Sequence, residues 1–278
     1  MRAFLLSLSA KYQLFLIVFC TIVVAFISAI AIYLLFGSME LISKAGLITA
    51  IYAVLGTIYA VLVAFSVSGV WQNYCAAELA VTAEVAALMD LVHTVGASAT
   101  EKAPLIRDLA IEYVNEVIAI EWPTLASGEN EIIMSPKSKP LMLSQHMIRE
   151  IQTIQTANAR DNVIFSHVLT LLTKWLDSRR MRIMVSKGNI AKSLWPVLIA
   201  GAFILFAFHG LFIVENHILW STLLLFFAGV IGLAFYLIFT LDSPFAGSPI
   251  VDAGPFKWAL IWLRDQKTLN EEPKSVVI

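Results

Sequence analysis

Four long runs of the chain contain no Asp, Glu, Lys or Arg, and stretches of ordinary polarity separate them. The runs are residues 12–39, 45–77, 193–214 and 216–241. A helix rises 1.5 Å per residue, so about 20 apolar residues cross a hydrocarbon layer about 30 Å thick. Each run is long enough, and the pattern predicts four transmembrane helices. We place them near 13–36 (TM1), 46–71 (TM2), 193–214 (TM3) and 217–241 (TM4).

The long segment between TM2 and TM3, residues 72–192, has helical periodicity. The apolar spacing of TM2 continues past the membrane to Gly96, a common helix stop. A capping box, Ser98-x-x-Glu101, predicts a second helix that Pro123 ends. Residues 124–140 form a predicted loop, and a third helix is predicted from Leu141 to Lys187.

The sequence therefore predicts an all-α membrane protein with a helical cytoplasmic domain between TM2 and TM3. Its predicted parts are 1–71 (TM1 and TM2), 72–192 (the helical domain that continues TM2), 193–241 (TM3 and TM4) and 242–278 (a turn, an amphipathic helix and a tail).

Basic residues indicate the orientation. They precede TM1 and TM3 and follow TM4, at Arg2, Lys11, Lys187, Lys192, Lys257, Arg264 and Lys267. The positive-inside rule then places both termini and the 72–192 segment in the cytoplasm. We expect a multi-pass protein of the cell inner membrane.

Charge is also segregated within the helical domain. Residues 78–131 contain ten acidic and two basic side chains, and residues 132–192 contain three acidic and ten basic ones. Two layers of opposite sign would attract, within a chain or between subunits. Solvated helix faces explain the same pattern.

Composition limits the function classes. The chain is 59% hydrophobic and 14% charged, with a mean hydropathy of +0.81, which excludes a wholly soluble enzyme, a secreted disulfide scaffold and a disordered chain. The net charge of −1 gives no reason to expect nucleic-acid binding. We find no phosphate loop, CxxC pair, nucleophile elbow or zinc spacing, so we expect no enzyme activity, cofactor or metal.

TM2 contains small and hydroxyl residues that suit a pore or close helix packing. Small residues recur at intervals of four, at Gly56, Ala60, Ala64 and Ser68. If TM2 faces a symmetry axis and the small residues face a neighbour, the pore is lined by Thr57, Val61, Phe65 and Ser68, with Phe65 as the narrowest point. Ordinary helix packing is the simpler explanation of the small residues in TM2 alone.

Three carboxylates follow on the same predicted helix, at Glu78, Glu84 and Asp90. Around an axis they would form acidic rings in a vestibule and favour cations. Equally, they could pair with the arginine-rich stretch 174–187.

A turn follows TM4, at Asp242, Pro244, Phe245 and Gly247. A carboxylate at a helix C-terminus is disfavoured by the helix dipole, so we expect Asp242 to have a specific partner. Asp252 and Pro255 then predict the start of a short amphipathic helix. This helix could lie at the membrane surface or pack against the cytoplasmic domain.

Several short motifs occur in a familiar order: Phe65-x-Val67-x-x-Val70-Trp71-x-x-Tyr74 running on to Glu84, Glu121-Trp122-Pro123, Arg179-Arg180-x-Arg182 ahead of Trp195-Pro196, and Leu241-Asp242-x-Pro244-Phe245-x-Gly247. The pattern resembles the bestrophin-like domain of unknown function, found mainly in bacterial membrane proteins that are distantly similar to bestrophin channels. The resemblance implies a pentameric channel that passes inorganic ions through a lipid bilayer, with TM2 lining the pore.

In animal bestrophins an acidic segment after the Pro-Phe-Gly turn binds calcium. Here a single carboxylate, Asp252, follows within five residues of Gly247, whereas calcium takes six to eight oxygens. The alternative to a channel is a non-conducting, membrane-anchored structural or interaction protein whose helical domain docks a partner.

Overall fold

The computed structural model describes residues 8–36, 45–98, 100–127, 133, 135–186, 194–212, 216–246 and 249–271. The helices are α1 (Ala10–Phe36), α2 (Ala45–Ala97), α3 (Ala103–Glu116), a π-helical turn (Val117–Glu121), α4 (Trp122–Ser127), α5 (Lys139–Gln152), α6 (Ala159–Val185), α7 (Leu194–His209), α8 (His217–Leu241) and α9 (Gly254–Glu271). These described residues contain no strand, so the all-α prediction is confirmed.

The chain divides into two compact units. The apolar unit comprises Met1–Tyr74, Gly188–Ser243 and Gly247–Pro249, and the polar unit comprises Cys75–Lys187, Pro244–Ala246 and Ile250–Ile278. The segment after α8 is divided between the units, because Pro244–Ala246 belong to the polar unit and Gly247–Pro249 to the apolar unit.

In the apolar unit, α1 packs against α8 and α7 through small residues. A Cβ at Gly210 would lie 2.1 Å from the Ala29 carbonyl oxygen, and one at Gly232 would lie 3.0 Å from Val18 Cα. Only glycine allows these backbones to approach so closely. The shared core consists of Ala25, Ala29, Tyr59, Ala202, Leu205, Phe206, Leu224, Ala228 and Ile231.

Three of the described helices are long and apolar enough to cross a membrane: α1, α2 and α8. The fourth predicted span corresponds to α7, which has 16 residues and a length of about 24 Å. After His209 the chain forms tighter turns, in which the N–H groups of Gly210, Leu211 and Phe212 each bond to the carbonyl three residues earlier. The described helix is therefore shorter than the predicted range 193–214.

Helix α2 has 53 residues and is about 80 Å long. It continues past its apolar run and ends at Ala97, one residue after the predicted stop at Gly96. Its second half supplies buried residues to the polar unit, including Val81, Val85 and Leu88.

The predicted capping box at Ser98 is wrong. Helix α3 begins at Ala103, and its N-cap residue Lys102 makes no side-chain cap bond. The Ser98 hydroxyl donates instead to the Val95 carbonyl at 2.7 Å. The start of α3 coincides with Pro104, which suits a first turn because proline has no N–H to leave unbonded.

The predicted stop at Pro123 is also wrong. Helix α3 passes directly into the π-helical turn, and the Trp122 N–H bonds to the Val117 carbonyl, five residues earlier. Pro123 then lies in the first turn of α4, where it needs no backbone donor.

The predicted third helix is in fact two helices, α5 and α6. Between them the Thr153 hydroxyl donates to the Glu150 carbonyl at 2.9 Å, and Asn158 Oδ1 accepts the Asp161 N–H at 2.9 Å. Thr and Asn side chains compete with helical backbone bonding, and Asn is among the best N-caps. These polar side chains end α5 and start α6, and so divide the single helix that the apolar periodicity predicted.

The polar unit confirms pairing between acidic and basic segments within one chain. Lys139 lies 3.3 Å from Glu112 and 2.6 Å from Glu116, and Lys102 lies 2.9 Å from Glu150. Helix α9 begins near Pro255 as predicted and packs on α3, with Phe256, Ala259 and Leu263 buried. Of the two alternatives for this helix, packing within the polar unit is confirmed for that face.

Candidate functional site

The predicted pore residues form an uncovered face of α2. Phe65 is 74% exposed and Val61 is 50% exposed, and Thr57 and Ser68 are exposed as well. The Thr57 hydroxyl donates to the Ala53 carbonyl at 2.8 Å, and Ser68 Oγ accepts a bond from Gln72 at 3.1 Å. The face therefore presents apolar groups together with hydroxyls that are bonded along the helix.

The opposite face of α2 packs inside the apolar unit. Tyr59 is buried, and its hydroxyl donates to the Leu198 carbonyl at 3.0 Å. A Cβ at Gly201 would lie 2.6 Å from the Tyr59 ring, so α7 has glycine where the ring sits against it. This packing fixes which side of α2 stays uncovered.

The described part of the chain leaves the small residues of α2 at Gly56, Ala60 and Ala64 largely uncovered. Ala60 and Ala64 are exposed, and a Cβ at Gly56 would meet no atom within 4 Å. The structure thus leaves this row of small residues available to another helix.

The three predicted vestibule carboxylates have different environments. Glu78 and Asp90 are exposed. Glu84 is completely buried and forms an ion pair with Arg182. For Glu84 the structure shows the alternative, pairing with the arginine-rich stretch, and this residue does not face water in the single chain.

Glu84 belongs to a buried charge cluster with Glu121, Arg179, Arg182 and Tyr113. Arg182 donates to Glu84 from Nε at 2.7 Å and from Nη2 at 3.2 Å, and from Nη2 to Glu121 at 2.6 Å. Arg179 pairs with the other oxygen of Glu121, and the Tyr113 hydroxyl donates to Glu84 at 2.5 Å. Two carboxylates and two guanidinium groups balance, as burial of charge requires.

Aromatic rings surround the charges. The Arg182 guanidinium lies 5.7 Å from the ring centroid of Trp122 and 5.4 Å from that of Phe256, distances typical of cation–π contacts. Phe245 and Phe256 both pack edge-on against Trp122, with centroids 5.4 and 5.6 Å apart. Tyr113 packs in the same way on Trp175 at 5.0 Å.

This environment raises the pKa values of Tyr113, Arg179 and Arg182. Burial raises the pKa of Tyr113 well above its usual value, and the nearby Glu84 carboxylate adds to the effect. Burial alone would lower the pKa of Arg182, but the carboxylates of Glu84 and Glu121 outweigh it and hold that pKa well above its usual range. The cluster therefore keeps a neutral phenol and a charged guanidinium.

From the sequence, pairing of Glu84 with the stretch 174–187 was one alternative, but Glu121 and Tyr113 were missed, although a signal for the cluster exists. Arg179 and Arg182 follow Val168, Leu172 and Trp175 at helical spacing, on the buried face of α6. Glu84 in the same way shares the buried face of α2 with Val81 and Leu88. A charge on an apolar helix face is costly without a partner, so opposite charges in such positions indicate a buried pair.

Among the predicted turn residues, Asp242 belongs to the apolar unit, whereas Pro244 and Phe245 belong to the polar unit. Phe245 is 1% exposed and contributes to the aromatic group around the cluster, and the Pro244 carbonyl accepts the Val251 N–H at 2.8 Å. Asp242 is buried, at 2% exposed, where α8 ends. Gly247 lies outside the described residues.

Metal ligands are not grouped in the described part of the chain. No set of three or more His, Cys, Asp or Glu side chains there is arranged to hold a metal ion.

Comparisons with known proteins show the family and the fold of the chain. The model of the Bestrophin-like domain matches residues 19–256, and the chain belongs to this family. No curated protein matches the chain.

The fold is similar to crystal structures of a bacterial bestrophin homologue from Klebsiella pneumoniae, each carrying a single mutation. Three of these give TM-scores of 0.63, 0.65 and 0.64 at 14% sequence identity. They cover 92%, 92% and 94% of this chain, and 99% of each solved chain is matched. At this identity the similarity shows the bestrophin fold.

Proposed function

We propose that the protein is a homo-oligomeric ion channel of the bestrophin-like type, a pentamer in which α2 lines the pore. Membership of the bestrophin-like family supports this function. The single observation that carries it is the uncovered face of α2, where the apolar side chains of Val61 and Phe65 lie between the hydroxyls of Thr57 and Ser68. Such a face suits a narrow, partly hydrophobic pore.

The oligomer rests on the row of small residues at Gly56, Ala60 and Ala64. Ala60 and Ala64 are exposed, and within the described residues a Cβ at Gly56 would meet no atom within 4 Å. Small residues at intervals of four allow helices in a membrane to approach closely. A neighbouring subunit packed there would turn Thr57, Val61, Phe65 and Ser68 towards a common axis.

We further propose a weak preference for cations, carried by Glu78 and Asp90. At 3.6 residues per turn, Asp90 follows Thr57 by about nine turns and Glu78 by about six, so both lie near the proposed pore face. Glu84 follows Thr57 by about seven and a half turns, which turns it away. This count agrees with its burial, and we exclude Glu84 from the vestibule.

The proposed channel crosses the cell inner membrane four times, with both termini in the cytoplasm. Three long apolar helices support three of the spans, and α7 with its flanking residues would supply the other. The basic residues around the polar unit support a cytoplasmic location for it.

Ion flux into liposomes tests the channel. We expect purified protein to dissipate a salt gradient across the liposome membrane. Phe65→Ala should raise the ion flux, because the smaller side chain widens the narrowest point of the pore. Phe226→Ala is the matched control, since Phe226 is 69% exposed but lies on α8. Equal flux in wild type and Phe65→Ala would place the constriction elsewhere.

Absence of flux at every pH and voltage tried, from protein shown to be folded and oligomeric, would contradict the channel. It would favour the alternative, a membrane-anchored interaction protein.

The ion preference has its own test. We expect Glu78→Gln combined with Asp90→Asn to lower the cation-to-anion permeability ratio, measured from reversal potentials in planar bilayers. Glu101→Gln, another exposed carboxylate of the polar unit, is the control and should leave the ratio unchanged. An unaltered ratio in the double variant would remove these residues from the ion pathway.

A further inference from the structure

A cavity of about 460 Å³ opens on the polar unit where the end of α2, the start of α3 and the middle of α9 meet. Its volume lies within the range of small-molecule sites, which is about 300–1,000 Å³. Neither the proposed pore face nor the buried charge cluster contributes to its lining. The cavity therefore needs an explanation of its own.

One wall of the cavity is aromatic. The rings of His93 and Trp262 have centroids 6.4 Å apart and are inclined at 50°. Beside them the lining residues are small or apolar, among them Val92, Gly96 and Ala97. A flat ring can lie against the indole with no bulky side chain in the way.

The rim of the cavity carries a net positive charge. Lys267 Nζ lies 2.9 Å from Asp108 Oδ1, so these two charges offset each other. Arg107 also lines the cavity, and its Nη1 donates to the Gln266 carbonyl at 3.3 Å. Among the residues that the structure describes, no carboxylate lies within ion-pair distance of Arg107.

The anchoring of Arg107 to α9 prepares it for an acidic ligand. One hydrogen bond to a carbonyl holds the guanidinium at the rim, and a guanidinium has five N–H donors. The remaining N–H groups can donate two parallel hydrogen bonds to a carboxylate, the bidentate geometry that arginine favours. Arg107 and the aromatic wall line the same cavity, so one small molecule can engage both.

We propose that this cavity binds a small aromatic carboxylate, with the acid group on Arg107 and the ring on Trp262. The single uncompensated positive charge matches a ligand of charge −1. A ligand of higher negative charge would leave part of its charge without a cationic partner, because Lys267 already pairs with Asp108. This site is independent of ion conduction.

Fluorine NMR with 4-fluorophenylacetate tests the site on the full chain in detergent. We expect saturable broadening of the probe signal that unlabelled phenylacetate reverses and acetate does not. The neutral 4-fluorophenylacetamide, measured in parallel, reports partition into the detergent. Arg107→Gln and Trp262→Leu should each weaken binding about tenfold or more, as loss of a charge-assisted bond or of a stacking ring predicts.

Matched controls separate the site from non-specific effects. Trp258→Leu changes an exposed tryptophan on the same helix, and Arg160→Gln changes an exposed arginine, and neither residue lines the cavity. Both variants should bind as the wild type does. Thr100→Trp keeps every charge but fills the cavity, and it should abolish binding in a protein with an unchanged circular dichroism spectrum.

Two results would overturn the proposal. The first is no saturable binding of 4-fluorophenylacetate beyond that of the amide. The second is binding that persists in Arg107→Gln and in Thr100→Trp.

Discussion

The Arg182 guanidinium donates two hydrogen bonds to the carboxylate of Glu84, at 2.7 and 3.2 Å, although the residues are 98 positions apart and both are fully buried. The pair joins α2 to α6, and Glu121 and Tyr113 extend it to the intervening segments. A buried pair gains little over an apolar one, but a broken pair leaves an uncompensated charge. The cluster therefore selects one arrangement of these helices.

Breaking this pair should be costly. We expect Glu84→Gln to lower the free energy of unfolding by about 3–5 kcal/mol, because Arg182 would keep a buried charge with one carboxylate less. Denaturant titration in detergent, followed by tryptophan fluorescence, measures the change. Arg180→Gln is the control, since Arg180 is exposed and pairs with Asp177, and we expect less than about 1 kcal/mol.

The double variant Glu84→Leu/Arg182→Met adds a check. Removing both charges together should cost less than the sum of the single changes. Additive costs would show that the two residues do not act as a pair.

Tyr113 should make stability fall in alkaline solution. Its pKa is raised in the folded state, chiefly by burial, so above pH 10 the unfolded chain loses this proton while the folded chain keeps it. This contribution is fully present below pH 10 and is lost as pH rises through the folded pKa. Tyr113→Phe should reduce the slope of stability against pH between about pH 10 and 11.

The slope of stability against pH, and not the stability itself, reports the titration of Tyr113. The reason is that Tyr113→Phe also removes a hydrogen-bond donor from Glu84, which changes the stability at every pH. Tyr12→Phe, at a site 69% exposed, should not reduce the slope. Equal slopes in wild type and Tyr113→Phe would contradict the assignment.

The break between α5 and α6 depends on Asn158. We expect Asn158→Ala to lower stability by about 0.5–2 kcal/mol, because the Asp161 N–H loses its acceptor. Ser138→Ala is a close control: Ser138 is the N-cap residue of α5, but its side chain makes no cap bond. Chemical denaturation of both variants measures the difference, and equal losses would rule out the capping role.

Gly210, directly after α7, lies so close to the backbone of α1 that a larger residue does not fit there. We expect Gly210→Ala to cost about 1–3 kcal/mol or more, because the added carbon meets the Ala29 carbonyl and backbone cannot move aside cheaply. Gly229→Ala, where nothing lies within 4 Å, should be neutral or stabilising. The thermal midpoint of each variant in detergent distinguishes the two. An undisturbed Gly210→Ala would mean that α1 and α7 do not meet there.

The membrane orientation can be read by cysteine labelling in a Cys20→Ser/Cys75→Ser background. A cysteine at His217 should react with an impermeant reagent from outside, and one at Ser138 only after permeabilisation, as the basic residues predict. His217 is preferred to Asn216, whose side chain caps α8. The reverse labelling pattern would invert the proposed topology.

Hydrophobic pattern along the chain was enough to predict the helical class and the extension of α2 beyond its apolar run. These features follow from period and polarity, which act between near neighbours in the chain. The sequence also contains the motifs of the bestrophin-like family. It does not show what those residues do in the fold. Its errors at Ser98, Pro123 and Thr153 lie at helix ends, where one or two side-chain bonds decide the boundary.

Tertiary structure decided which charges face water. Helical spacing puts Glu84, unlike Glu78 and Asp90, on the apolar face of α2, but only the folded chain shows that Glu84 meets Arg182. The partner lies 98 residues away, so no local pattern contains the pair. The same holds for Phe245 and Trp122, which separate segments of the chain bring into contact around that guanidinium. A buried charge is stable only when a group of opposite charge lies beside it. Here that group comes from a distant segment, so the pair forms only in the packed chain.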